Sequence, residues 1–363
     1  MRKIKIGFYT HHWDYAGTAR SHEQIATNLN RGLFEPVILY WPGGDNSRLP
    51  YLESVLGKDS LIPFSRTKDK TGSDKGYAPV VTDFKEICQN ASIDILHVAR
   101  SGYYEWPLTD RICPVQVETK IFADKDPRTY VDWSFPIADF VSYDQDTHQT
   151  IIPNPIPSSI QIKDPQSFRG VELPNGIIIK DTDTVYGRIG RPAGWTPHGT
   201  IGFTAAMKAN PNSYFLIVAP CPEDRAFYST EEFKDRVIYF EPTYDDNIIQ
   251  RFFNTLDVFL HYRSDGEVCS VAIGQAMANR LPVVSHRSQQ FNGQVGMLAY
   301  VGFVASSEAE YSDMVIRLAK DESLRKTTGL AAYTKYTKEY LPSVVLRRYE
   351  DEYIRLYQEK GLL

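Results

Sequence analysis

An α/β fold made of two doubly wound parallel-sheet domains is what this sequence predicts, on three observations. The chain has 363 residues, long for one hydrophobic core, and at ~100–200 residues per domain two domains are the first expectation. Short apolar, β-branched or aromatic runs alternate with longer helical patterns throughout, as buried parallel strands flanked by helices do. The series is interrupted once, after IIPNPIP, by a polar stretch through Pro165 and Pro174 that reads as a hinge.

The first series contains the strands IKIGFYT, PVILYW, IDILHVA, CPVQVE and DFVSYD, with a helix starting near Ser21 after the first of them. A second series starts near Thr184 with TVYGRIG and continues through YFLIVAP, RVIYFE, DVFLHY and LPVVSH. The expected division is residues 1–160, residues 161–342 and a final helix over 343–363. That helix carries Val345, Tyr349, Tyr353, Leu356 and Tyr357 at helical spacing, an apolar stripe that needs a surface to cover it. Packing back on the first domain is the expected solution.

Composition narrows the function classes. Hydrophobic residues make up 42% and charged residues 23%, an ordinary globular balance, and a net charge of -5 argues against a general nucleic-acid surface. Cys88, Cys113, Cys221 and Cys269 are far apart and lack metal-ligand spacing, so they read as reduced thiols of a cytoplasmic protein. No apolar stretch is long enough for a signal peptide or a transmembrane segment. The basic run Lys68, Lys70 and Lys75 reads as a solvated loop or as a peripheral membrane contact. Three Asp-x-Asp triplets occur, Asp124-Lys125-Asp126, Asp144-Gln145-Asp146 and Asp181-Thr182-Asp183. No metal is assigned to them; the last precedes its strand and so points to the wrong end of a sheet. Nucleophile elbow, P-loop and dinucleotide fingerprint are all missing, which argues against a hydrolase, an NTPase and a dinucleotide enzyme.

The most informative stretch is LDVFLHYRSDGEVCSVAIGQAMANRLPVVS, residues 256–285. It reads as a buried strand, a turn at Arg263-Ser264-Asp265-Gly266, a small-residue helix from Val268 to Ala278 and a further strand. Ligands of open α/β sheets bind beyond the carboxyl ends of the strands, and a helix starting there favours an anion. The amides of Val268, Cys269 and Ser270 are therefore candidate phosphate donors, with Glu267 at the mouth of the site. On spacing alone, a generic strand–helix–strand unit with a solvated glutamate is an equal reading.

This stretch resembles the signature of retaining glycosyltransferase family 4, a family of the GT-B fold: Gly-Glu, a small-residue helix, then a strand of the Leu-Pro-Val-Val type. VYGRIGR resembles the family's Gly-Arg strand end, IIPNPIP its inter-domain element, and IDILHVA and IGFYTHHWDYAGTARSHEQIATNL occupy matching places in the first domain. The resemblance implies two Rossmann-like domains facing a central cleft, and transfer of a sugar from a nucleoside diphosphate sugar to an acceptor hydroxyl. Retention of configuration and no metal or other cofactor are implied as well. The acceptor class, whether glycan, glycolipid or small molecule, is left open.

Carried over by position, Glu267 matches the glutamate that contacts the donor sugar near the reacting centre. Arg188 matches the arginine that grips the diphosphate, and the two are the catalytic candidates. Gln275 stands where the family has a second glutamate on the ribose hydroxyls, and an amide offers weaker neutral hydrogen bonds there. The family's companion lysine is missing; Arg191 either supplies that charge from a shifted position or is a solvated loop arginine. Gly17 matches the first-domain glycine loop. No histidine follows CPVQVE, where the family has one near the acceptor. Glu118 and Lys120 stand there, as acceptor-side candidates or as members of a structural ion pair. His11, His12 and His97 lie at the carboxyl ends of predicted first-domain strands and are either acceptor-side residues facing the cleft or structural ones. The same departures admit a second expectation, a catalytically inactive binding subunit that works beside a partner glycosyltransferase.

Overall fold

The computed structural model describes residues 2–15, 17–65, 81–100, 106–108, 110–121, 130–142, 148–157, 166–173, 176–230 and 232–362. The lysine run 68–75, the triplets Asp124-Lys125-Asp126 and Asp144-Gln145-Asp146, and Pro165 and Pro174 lie outside these residues. The chain divides into two compact units, residues 1–155 with 342–363, and residues 156–341. The boundary thus falls between Pro155 and Ile156, five residues before the expected 160/161 division.

The first unit contains β1 (Ile4–Tyr9), α1 (Gly17–Asn28), β2 (Phe34–Tyr40), α2 (Leu49–Leu56), β3 (Leu61–Pro63), α3 (Val81–Asn90), β4 (Ile95–Arg100), β5 (Val115–Lys120) and β6 (Trp133–Pro136). Its six strands are parallel, in the order β3-β2-β1-β4-β5-β6. Helix α1 starts at Gly17, four residues before the expected Ser21. DFVSYD is not a strand: Asp139–Val141 forms a single 3₁₀ turn with Phe140 exposed. The outer side of β6 is taken instead by the segment after it: Ser134 bridges Gln149, and the Ile152 amide donates to the Pro136 carbonyl at 2.9 Å.

The second unit contains β7 (Thr184–Ile189), α4 (Pro197–Ala209), β8 (Ser213–Val218), α5 (Pro222–Phe227), β9 (Val237–Phe240), α6 (Asp246–Thr255), β10 (Val258–Leu260), β11 (Gly266–Glu267), α7 (Val271–Ala278), β12 (Val283–His286), β13 (Phe291–Asn292), α8 (Gly293–Leu298), β14 (Phe303–Ala305), α9 (Glu308–Lys320) and α10 (Glu322–Glu339). A parallel six-stranded sheet runs β14-β12-β10-β7-β8-β9, and β11 pairs with β13 apart from it. Core side chains lie on both faces of this sheet, with Ile273, Ala276 and Met277 of α7 on one side and Phe203, Tyr311 and Val315 on the other. Strands buried on both faces explain why the sequence shows continuous apolar runs instead of alternation.

The last helix, α11 (Pro342–Glu359), belongs to the first unit. Its stripe of Val345, Tyr349, Tyr353, Leu356 and Tyr357 is buried against Ile4, Phe34, Val117 and Phe135. Polar atoms enter this core at one point. His97 Nδ1 lies 2.6 Å from the Tyr353 hydroxyl and Nε2 lies 2.7 Å from Thr119 Oγ1. Successive strand residues face opposite sides of a sheet, so His97 lies with Ile95 on the α11 side, sealed beneath that helix. His22 of α1 packs 4.5 Å from the His97 ring, fully buried, and neither of its ring nitrogens has a hydrogen-bond partner.

Burial lowers His22 to about 3 and places His97 well below its ordinary value, with the charge of His22 adding to the effect on His97. An unfolded chain takes up these protons near 6.5, whereas the folded one does not until far lower pH. Stability is therefore complete above pH 6.5 and falls as pH drops towards 3. His22 alone should remove about 2 kcal/mol between pH 7 and pH 5. In urea melts at the two pH values His22→Leu should shrink this loss, and an unchanged acid dependence would reject the role of the imidazole.

Candidate functional site

A doubly wound sheet opens a crevice where its strand order reverses, because the loops leaving the two central strands turn to opposite faces. In the second unit that point is between β7 and β10, which pair directly. The loop after β7 carries Arg191, Gly194 and Trp195 and leads into α4 with His198 in its first turn; the segment after β10 runs from His261 to Glu267 of β11. The Ser264 amide donates to the Gly194 carbonyl at 2.8 Å and ties the two loops together.

Glu267 is held from its backbone outward. Gly266 has φ +71, in the left-handed region, and a Cβ there would stand 1.9 Å from the Phe291 carbonyl oxygen. Glycine is thus required for β11 to lie against β13. The Glu267 amide donates to Gln294 Oε1 at 3.1 Å, and Gln294 in turn donates to the His286 carbonyl at 3.0 Å. The Glu267 carboxylate, about one fifth exposed, has Oε1 3.5 Å from His261 Nε2 and 3.6 Å from Arg263 Nη1. Arg263 is itself forked onto Asp265 through Nε and Nη2, which holds Asp265 below the usual carboxylate range, with Arg191 adding a smaller contribution.

The helix expected from Val268 starts three residues later. Ser270 caps it, its Oγ accepting from the Ile273 amide at 3.4 Å. The reason is local: Ser270 holds an extended conformation, as cap residues do. The first-turn amides are consequently those of Val271 and Ala272. Val268 is buried in the link from β11, Cys269 is half-buried, and the Ser270 amide is directed at Met297 Sδ, 3.3 Å away. Gln275 lies half-buried on α7.

Arg188 ends β7 as a buried cation. Its Nη1 is 3.5 Å from Asp224 Oδ2, its Nη2 donates to the Arg191 carbonyl at 3.2 Å, and it lies over the Tyr262 ring at 4.7 Å. Asp224, fully buried, also accepts from the Tyr262 hydroxyl at 2.9 Å and from the Cys221 amide and thiol. Burial and that thiol contact push Cys221 up to about 12, so it is a proton donor and not a nucleophile. Arg191 is exposed.

Three imidazoles that the sequence reading did not single out complete the rim. His198 and His286 stack at 4.1 Å with rings 10° from parallel. The His286 Nε2 accepts from the Arg263 amide at 3.1 Å, so its proton is on Nδ1, which donates to the Arg287 carbonyl at 2.9 Å. Burial lowers His286 to about 4 and also lowers His198. The third, His261, has Nδ1 2.8 Å from Ser285 Oγ. Their positional signal was present, since His261 and His286 close strands β10 and β12 at the ligand end. Asp224 had none, standing far from Arg188 in sequence.

The first-unit candidates separate into two groups. His97 is sealed in the core, and Glu118 is buried with Arg100 Nη1 at 3.1 Å and Ser134 Oγ at 2.7 Å. Lys120 is also buried. Strands β4 and β5 are buried over their whole length. His11 is half-buried beside Tyr9, and His12 is exposed, its Nδ1 accepting from the Asp45 amide at 3.1 Å. Both follow β1, which with β4 forms the reversal point of the first sheet. Gly17 opens α1 with nothing within 4 Å of an added Cβ. Asp183 serves the turn before β7, accepting from the Lys180 amide at 2.8 Å. Among the described residues no metal-holding group of three or more His, Cys, Asp or Glu occurs, and no helix is long and apolar enough to cross a membrane.

No family profile and no curated protein matches the sequence. The fold, however, is shared over nearly the whole chain with solved glycosyltransferase structures. A glycosyltransferase from Rickettsia africae ESF-5 is 13% identical, with a TM-score of 0.73 over 98% of this chain and 99% of its own. Anabaena HepE, in complex with UDP and glucose, is 14% identical, with a TM-score of 0.67 over 97% and 100%. Sucrose-phosphate synthase from Thermosynechococcus elongatus is 12% identical, with a TM-score of 0.64 over 99% and 100%. With its two parallel six-stranded sheets the chain has the GT-B α/β fold.

Two substitutions test the construction of the site. Asp224→Ala should lower stability by about 3–5 kcal/mol, because it leaves Arg188 buried without its carboxylate; thermal unfolding reads this directly. Gly266→Ala should cost about 1–3 kcal/mol from the backbone conformation alone. A melting curve unchanged by it would mean that β11 does not lie against β13.

Proposed function

We propose that the chain is a nucleotide-sugar-dependent glycosyltransferase whose donor binds at the β7–β10 reversal point of the second unit. The observation that carries the proposal is the position of Arg188 and Glu267. Adjacent strands of a glycosyltransferase fold deliver a cation and a carboxylate to the end where doubly wound sheets hold ligands. UDP-glucose is the first donor to test, since HepE is seen with UDP and with UDP-glucose.

In this reading Glu267 orients the donor sugar and supports positive charge at its anomeric carbon. The leaving diphosphate gains negative charge in the transition state and needs fixed donors. Arg191 is exposed for that role, and the first-turn amides of α7 add the partial charge of a helix start. Arg188 keeps guanidinium N–H groups beyond those used on Asp224 and Arg191. Transfer with retention, without metal, to a hydroxyl of a glycan, glycolipid or small molecule completes the proposal; His11 and His12 are its acceptor-side residues.

One observation favours a second reading, an inactive binding subunit acting with a partner glycosyltransferase. Arg188 is already neutralised by Asp224, so a diphosphate meets less net charge there than a lone arginine would offer. Donor binding separates neither reading; turnover does.

A panel of UDP, GDP and their sugars should give a selective thermal shift of about 5–10 °C at a hundred times Kd. Arg191→Ala should weaken that donor by about 10-fold, the loss of one charge-assisted contact. Glu267→Gln should keep donor binding and lose turnover. Full turnover in Glu267→Gln would remove Glu267 from the reaction, and binding without turnover in the wild type, alone with any acceptor, would favour the subunit reading.

A further inference from the structure

We infer that His261 is the positioning residue for Glu267, its Nδ1 partnered by Ser285; the inference rests on the donor-site reading above. The His261 ring is almost fully buried and its backbone is pinned on both sides. The His261 amide donates to the Val284 carbonyl at 2.8 Å, and its carbonyl accepts from the Tyr311 hydroxyl at 3.2 Å. Nδ1 meets the fully buried Ser285 hydroxyl at 2.8 Å, and Nε2 faces Glu267 Oε1 at 3.5 Å.

A carboxylate only accepts, so the nitrogen facing Glu267 is the one that carries the ring proton. The neutral ring then has its lone pair on Nδ1, and the Ser285 hydroxyl donates to it. The acceptor-only carboxylate thus sets the tautomer, and the Ser285 hydroxyl, which can donate or accept, satisfies the Nδ1 lone pair that this leaves. Arg263 approaches the same carboxylate oxygen, Oε1, while its own Nε and Nη2 are fixed on Asp265. Both donors gather on Oε1, which fixes the carboxylate from that oxygen. At 3.5 Å the imidazole contact is long for a hydrogen bond, and such contacts shorten when a ligand completes the site. His261 thus sets the direction of the Glu267 carboxylate without touching the sugar.

The test has two arms. In the first, long-range ¹H–¹⁵N spectra of the histidine rings in the full chain should show His261 as the Nε2–H tautomer. Ser285→Ala and Glu267→Ala should each move it towards Nδ1–H, whereas an Nδ1–H ring in the wild type, or one indifferent to Glu267→Ala, overturns the inference. This arm needs no substrate, so it decides the inference even if no nucleotide sugar is turned over and the functional reading fails. In the second arm, His261→Ala should lower kcat by about 100-fold with the donor KM unchanged, the effect of a misdirected group. His261→Gln, which keeps an N–H, should restore part of the loss. In a Glu267→Ala background His261→Ala should cost nothing further; losses that simply multiply mean that the two residues act separately.

Discussion

A parallel sheet built outward from its middle changes direction once, and in residues 156–341 that change lies between β7 and β10. The functional geometry of the unit follows from this constraint. Two neighbouring strands send their loops to opposite faces, leaving a gap that side chains from both must line. Here the gap is closed at the backbone by the Ser264–Gly194 hydrogen bond and at the side chains by Arg188, Asp224 and Tyr262, contributed by β7, α5 and the end of β10. A loop fastened at both levels loses little further entropy when a ligand arrives, which is the physical meaning of a preorganised site.

Much of this architecture was legible in the sequence because burial on both faces forces continuous apolar runs. TVYGRIG, YFLIVAP and LPVVSH became β7, β8 and β12 with only end residues trimmed. DFVSYD failed for the complementary reason: a short apolar pair predicts a strand only if an edge is free, and residues 148–152 take the open edge of β6. Glu267 and Arg188 were legible by position, since each follows a strand whose end is unambiguous. Their partners were not. Asp224 and Gln294 act on these residues across the fold, and spacing along a chain carries no record of such pairing. His97 and Glu118 show the same limit from the other side, since both lie within strands β4 and β5 and are buried there.

The start of α7 illustrates how a single residue redirects a site. A helix beginning at Val268 would have aimed the amides of Val268, Cys269 and Ser270 outward. An extended Ser270 shifts the first turn by three residues and turns its own amide onto Met297 Sδ. The gain is a capped helix, worth about 1 kcal/mol. The consequence is that the first-turn amides are those of Val271 and Ala272.

The buried pair Arg188–Asp224 sets the electrostatic character of the site. An arginine sealed in the core without a counter-charge would cost several kcal/mol, so the carboxylate is needed for the unit to fold. The same carboxylate reduces the field that Arg188 presents to an incoming anion. In the proposed donor site the attraction of a diphosphate therefore rests on the exposed Arg191 and on the first turn of α7. Glu267 stands against this background with two cationic or proton-donating neighbours on one of its oxygens. A carboxylate held in that way has a fixed direction, which is what the proposed role beside a developing positive centre requires.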